Sequence, residues 1–333
     1  MRFALAHCAA ASGRREVVLP AYCCYSLPAS VVAAGLQVRL VDVDDSGRID
    51  PTALASLPLE SVAVIVVANL FGLADPMGEI RRMATESGVA VVDDAAQSLG
   101  ARDGDGAVGA RGEFGVLSFG RGKPLSALGG GGLVWNSIEE RADPSAAAES
   151  DARLEALARG LVYDIARWPV VFRLLSAIPS LHIGETEYDP GFRQGSIDPA
   201  ARCLAEVLID SLDASNRERR ERAERLAVMI REQTAFSPLT SVGEGVGIYP
   251  RLAVRAPEPA AREAALEAMR DLGATAMYPS AVDGIDGLGA NLVGDAHCPG
   301  AHAFAARLLT LPTHSSLTPR RIDRLLDVLR SLG

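Results

Sequence analysis

Of the 33 basic residues in this 333-residue chain, all but Lys123 are arginine. Where positive charge alone serves, the chain uses guanidinium, which stays protonated and is a poor nucleophile. A desolvated amine, in contrast, can lose its proton and attack a carbonyl. Cysteine is also sparse. Cys8, Cys23, Cys24, Cys203 and Cys298 form an odd set with no C-x-x-C pair, which points to free thiols in a reducing compartment and not to a disulfide framework. Apolar runs are short: residues 62–68 are among the longest, far below the about 20 residues that span a bilayer. No charged n-region with an apolar stretch and cleavage site opens the chain. A cytoplasmic protein without membrane insertion is expected. Basic clusters interleaved with aromatics are missing and the net charge is −9, which argues against nucleic acid as a partner. No G-x-S-x-G elbow occurs, so serine-hydrolase chemistry is not indicated. His297, Cys298 and His302 lie close together in a Gly- and Pro-bearing loop but lack a second ligand cluster, so no metal is expected. His7 and His182 stand alone.

What is present is an ordinary globular composition, 48% apolar and 23% charged, long enough for one large domain and a smaller partner. Residues 16–20, 38–43, 62–69, 89–96 and 115–119 read as short apolar strands, with 130–136 turning back beside the last. Helices are expected at 2–11, after Ser26 or Ser30 as cap and closed by Gly35, from Asp50-Pro51, and from Asp75-Pro76 to about 87. This alternation predicts an α/β fold, a three-layer arrangement around a mainly parallel sheet. Residues 152–181, with Trp168, read as packed helices. Residues 199–233 read as one long amphipathic helix. A smaller α+β unit follows, with strands at 247–255, 274–278 and 308–312, a helix over 258–272, a loop leading to 308, and a closing helix over 319–332 capped by Thr318. The expected division is a large domain over 1–212 and a small one over 213–333.

Ligands of parallel sheets bind at the carboxyl ends of the strands. Asp93, Asp94 and Gln97 sit at one such end and Lys123 follows another. The G-x-G-x-x-G letters at 104–109 have neither a strand before nor a helix after them, and Gly122-Lys123 lacks the remaining P-loop residues. What remains is a carboxylate, an amide three residues on, and an amine after a later strand. A pyridoxal phosphate enzyme needs this set: a lysine that carries the cofactor, an Asp that keeps the pyridinium nitrogen protonated, and a hydroxyl with glycine amides for the phosphate.

The segments VVDDAAQSLGA, with its D-A-A-Q, and FGVLSFGRGKPLSALGGGGLVW, with Ser118 five residues before Lys123 and a glycine cluster after it, resemble the DegT/DnrJ/EryC1/StrS sugar aminotransferases of the aspartate-aminotransferase-like fold type I. The resemblance covers nearly the whole chain. It implies Lys123 as Schiff-base lysine and proton shuttle, Asp94 on the ring nitrogen, Gln97 near the 3-oxygen and Ser118 on the phosphate. Cys24 stands where the family stacks an aromatic on the ring, with Tyr22 or Tyr25 as substitutes. Gly191 stands where a neighbouring subunit's Asn reaches the phosphate, and Met277 where a His precedes Tyr-Pro. The family's earlier S-G-T phosphate turn has no counterpart, which suggests a late start or a truncation. The resemblance implies a homodimer with its active site at the interface, transferring an amino group from glutamate to a nucleotide-linked keto sugar. The alternative is a weakened member acting as a binding or regulatory partner. A sugar dehydratase would be expected to replace the lysine.

Overall fold

The computed structural model describes residues 1–127, 129–136, 188–192 and 195–333. The helices expected within 152–181, His182 and Arg193 lie outside these residues. Strands β1 (Glu16–Pro20), β2 (Gln37–Val41), β3 (Val62–Ala68) and β4 (Ala90–Asp94) are followed by the small hairpin β5 (Arg102–Asp103) and β6 (Gly106–Ala107), then β7 (Phe114–Ser118) and β8 (Gly131–Trp135). Six of them form one sheet in the order β2-β1-β3-β4-β7-β8, parallel except for the antiparallel β8. Helices α1 (Arg2–Ser12), α2 (Ser26–Ala33), α3 (Pro51–Ala55) and α4 (Gly78–Glu86) accompany it. Successive strand residues face opposite sides. Val17 and Leu19 accordingly join a core with Leu5, Val38, Val64 and Phe304, while Val18 packs with Ile65, Val67, Met77 and Ile80 on the other face. Every residue of β3 is buried, as a strand covered on both sides must be.

The second sheet is antiparallel, ordered β11-β10-β9 from β9 (Ser237–Pro238), β10 (Arg251–Arg255) and β11 (Leu308–Pro312). The helices of this half of the chain are α5 (Pro199–Leu208), whose Ala205 packs with Leu125 and Ala127, α6 (Leu212–Gln233), α7 (Pro259–Ala268), α8 (Pro299–Arg307) and α9 (Pro319–Ser331). Among the described residues no helix is long and apolar enough to cross a membrane.

Several local expectations change. The long helix over 199–233 is interrupted by a 3-10 turn at Ile209–Ser211. Asp50 caps α3 as expected, accepting from the Thr52 N–H at 2.8 Å. Ser26 and Ser30 cap nothing: both lie inside α2, and the Ser30 hydroxyl donates to the Ser26 carbonyl at 2.7 Å. Thr318 occupies the N-cap of α9 without a side-chain capping bond. Residues 274–278 are no strand but a turn with a single bridge, Thr275 to Thr310, because Met277 at φ 63° cannot continue an extended chain. The loop expected before β11 contains α8. Its first turn is capped from far away, since the Asp42 carboxylate accepts from the N–H groups of Gly300 (2.9 Å) and Ala301 (2.8 Å). An acceptor 258 residues distant leaves no local signal.

Gly115 of β7 has no room for a side chain, because a Cβ there would run into the carbonyl of Gly109. Gly115→Ala is expected to cost about 1–3 kcal/mol, as overpacking does, read as a lower urea midpoint. An unchanged midpoint would mean that the 109 loop yields without resistance.

Candidate active site

The carboxyl ends of β3, β4 and β7 open on one cavity of about 730 Å³, within the ~300–1,000 Å³ of ligand pockets. Parallel pairing brings Ala68 opposite Asp94 and Asp94 opposite Val116, so residues just past these strands share one rim. Asn69, Asp94, Gln97 and Ser118 line it. Beyond Ser118 the chain leaves the sheet in a loop that returns as β8, closed by hydrogen bonds from Phe119 N to Gly130 O (3.0 Å) and from Ala127 N to Phe119 O (2.8 Å). Lys123 rides on this loop and reaches the same cavity, as do Gly130 and Gly131. Gly130 sits at φ 77°, and a Cβ there would strike the Ile197 side chain, so only glycine lets the loop close here.

Asp94 Oδ1 accepts from the Ala96 N–H at 2.9 Å. Burial pushes its carboxyl above the ordinary range, while the Ala96 hydrogen bond and the charge of Lys123 pull it back. Gln97 is 6% exposed. Its Oε1 accepts from the Phe71 N–H at 2.9 Å and its Nε2 donates to the Tyr278 hydroxyl at 2.6 Å. Phe71 (φ 58°) and Met277, beside Tyr278, are non-glycine residues in left-handed conformations, each costing about 1–3 kcal/mol of strain and concentrated, as such strain commonly is, around a site.

Cys24 lines the cavity and its sulfur accepts from the Ser26 hydroxyl at 3.0 Å. Tyr22 and Tyr25 do not line it. Tyr22 is fully buried with its hydroxyl on the Tyr278 backbone, and the Tyr25 hydroxyl pairs with Ser280 Oγ at 2.7 Å. The tyrosines considered as ring-stacking substitutes therefore face the C-terminal segment. Phe192 borders the cavity and Gly191 does not.

Sequence reasoning missed the support beneath this rim. Arg111 and Asp93 have no exposed side-chain surface. The guanidinium donates to Asp93 Oδ1 and Oδ2 (2.9 and 3.0 Å), to Asn69 Oδ1 (2.6 Å), to Asp103 (2.6 Å) and to the Asp75 carbonyl (3.0 Å). Burial pulls Arg111 down, yet the hydrogen bond to Asp93 and the charges of Asp93, Asp103 and Asp75 carry it above its ordinary value. Asn69 Nδ2 then donates to Asp93 Oδ1 (2.8 Å) and to the Asp94 carbonyl (2.9 Å). The backbone that presents Asp94 is thus held by a closed polar network. The signal available was a polar residue, Asn69, ending an all-apolar strand.

Asp75, 3.4 Å from Arg48, is pushed up to about 7 by burial, against the charges of Arg48 and Arg111 and with Asp44 and Asp93 adding to the rise. A carboxyl raised in the fold binds its proton more tightly there than unfolded, so its contribution to stability falls as pH rises from about 4 to about 7. The unfolding free energy of wild type minus that of Asp75→Asn is expected to drop across that window and stay level above it. A flat or rising difference in urea melts would contradict this placement.

Residues 1–154 match the DegT/DnrJ/EryC1/StrS aminotransferase family. The chain is 31% identical over 129 residues to a pleiotropic regulatory protein of Geobacillus stearothermophilus, covering 38% of this chain and 35% of that one. It is 31% identical over 149 residues to the UDP-N-acetyl-3-dehydro-alpha-D-glucosamine 3-aminotransferase of Acidithiobacillus ferrooxidans (44% and 36% covered). It is 27% identical over 255 residues to the L-glutamine:2-deoxy-scyllo-inosose aminotransferase of Streptoalloteichus tenebrarius (74% and 54%). The matched stretch thus spans about a third to a half of these relatives. Spr1654 of Streptococcus pneumoniae, described as a sugar aminotransferase and solved in its PLP form, superposes with a TM-score of 0.75 at 18% identity, covering 99% of this chain and 84% of that one. That likeness establishes the fold as the aminotransferase fold type I. Among the described residues no group of three or more His, Cys, Asp or Glu could hold a metal.

Proposed function

We propose that the chain is a pyridoxal 5'-phosphate-dependent aminotransferase that moves an amino group from glutamate to a nucleotide-linked keto sugar. The observation that carries this reading is the lone lysine meeting a buried carboxylate at one strand-end cavity. The residues present fit the cofactor. When bound, pyridoxal phosphate supplies an aldehyde carbon for amines and a ring that accepts the electrons released beside it. Lys123 would anchor the group through Nζ and, as a free amine, move the proton between donor and acceptor carbons. Asp94 would hold the proton on the ring nitrogen, a cationic partner that relieves the burial of its carboxylate. The Ser118 hydroxyl and the N–H groups of Gly130 and Gly131 would hold the phosphate. Gln97 keeps one amide N–H for the ring 3-oxygen.

The relatives that act on a UDP-linked keto sugar and on an inosose support a polyhydroxylated ketone as acceptor. A homodimer with the cavity at its interface belongs to the same reading; Phe3, 44% exposed on the cavity rim, suits such a contact, and sedimentation measures it. The deciding experiment is an absorbance spectrum with added pyridoxal phosphate. A band near ~420 nm, fixed by borohydride in wild type and missing in Lys123→Ala, supports the covalent anchor. Bleaching by glutamate and not glutamine identifies the donor. No band in wild type would overturn the reading.

A further inference from the structure

We propose that Tyr278 is a positioning residue of this site: its hydroxyl accepts one of the two Gln97 amide hydrogens and so directs the other, the one Gln97 offers the cofactor's 3-oxygen. The inference rests on the function proposed above and adds to it a residue from the C-terminal part of the chain.

The orientation of the amide follows from donor and acceptor types alone. The Phe71 backbone N–H can only donate, so the Gln97 atom 2.9 Å from it must be the carbonyl oxygen. The amino group then faces the Tyr278 oxygen, 2.6 Å away. An amide carries two N–H hydrogens. Tyr278 takes one and leaves one for a ligand. Both side chains are enclosed, Gln97 at 6% and Tyr278 at 3% exposure, so water offers no ready substitute for the phenol oxygen.

Tyr278 is itself held from several sides. The Tyr22 hydroxyl donates to the Tyr278 carbonyl and accepts from the Tyr278 N–H, both at 3.3 Å. The rings of Tyr22 and Tyr25 pack against the Tyr278 ring at centroid distances of 5.7 and 6.1 Å. Left-handed Met277 (φ 63°) turns the chain just before it. The Tyr278 hydroxyl also interacts with the Cys24 side chain, and burial followed by the neighbouring Cys24 keeps the phenol protonated far above neutral pH. One hydroxyl thereby links two cavity-lining residues, Gln97 and Cys24, from a position 181 residues beyond Gln97. Without it the Gln97 amino group loses its fixed acceptor, and the second hydrogen loses its direction.

The test is a pH titration of the cofactor band in wild type, Tyr278→Phe, Gln97→Ala and the double variant. A donor to the 3-oxygen stabilises negative charge there, so weakening it raises the apparent pKa of the band. Tyr278→Phe is expected to raise it by about one unit, roughly tenfold in the protonation equilibrium, with little further effect on top of Gln97→Ala. Near-UV circular dichroism checks that the variant folds. If it does not, 3-fluorotyrosine at 278, a weaker acceptor with the same ring, is expected to give a smaller shift of the same sign. A Tyr278→Phe titration matching wild type, or an equal shift in the Gln97→Ala background, overturns the inference while leaving the aminotransferase reading intact. A wild-type protein without a band overturns the reading, and this inference falls with it.

Discussion

Replacing Lys123 with arginine is expected to abolish the proposed aminotransfer while leaving the urea unfolding midpoint near that of wild type. The substitution preserves charge and length, and the chain already uses arginine at every other basic position. It removes the one property guanidinium lacks, an amine that gives up a proton and bonds to carbon. Loss of the acid–base role alone is worth about 10²–10⁴ in rate, and loss of the covalent anchor adds to it. Lys123 is half-buried on the loop after β7, away from the strand ladders, so a stability change within about 0.5 kcal/mol is expected. Single-turnover assays with glutamate and a keto-sugar acceptor measure the first effect and urea melts the second. Activity of the Lys123→Arg variant within about tenfold of wild type, far short of the loss expected for an acid–base group, would show that the lysine is an ordinary surface cation.

The second large effect belongs to Arg111. Arg111→Met keeps the volume and deletes the charge, leaving Asp93 buried with its partner gone. Breaking one side of a buried pair costs about 3–5 kcal/mol. Asn69 loses the guanidinium at its Oδ1 and, with it, the grip on the Asp94 carbonyl. The unfolding free energy is expected to fall by that amount, and cofactor affinity to fall with it as the Asp94 strand end loosens. Pairing the change with Asp93→Leu is expected to recover part of the stability, since removal of both charges avoids the orphan. A loss below about 1 kcal/mol in Arg111→Met would mean that water reaches Asp93.

The meeting of Lys123 and Asp94 at one cavity was legible because each stands at the end of a short apolar strand, where parallel sheets present ligands, and because the composition isolates the lysine. β1, β3, β7 and β8 were legible for a similar reason, their hydrophobicity being local. Arg111, Tyr278 and α8 were not. Arg111 sits in a glycine-rich loop whose letters suggest solvent, and its partners lie on β4 and beyond β3. Tyr278 acts through Gln97 across most of the chain. Helix α8 is a run of small residues started by Asp42 on another element. The letters left Tyr22 and Tyr25 open as ring partners because aromatic residues near a cleft do not reveal which way each ring turns; in the fold Tyr278 and Ser280 hold their hydroxyls.

Strand β2 is the outer strand of the six-stranded sheet, and its free side is covered by residues made much later. Val38 bridges Leu292, its carbonyl accepts from the Val293 N–H at 2.9 Å, and Asp42 holds the start of α8. On the ribosome this strand therefore waits for roughly 250 further residues, on the order of 12–50 s at common bacterial elongation rates. Through that interval it offers an unsatisfied row of amides and carbonyls to any neighbouring chain. Slow codons between Asp42 and Gly300 are therefore expected to lengthen that exposure and lower the soluble yield, and equal soluble yield from fast- and slow-codon genes would contradict this.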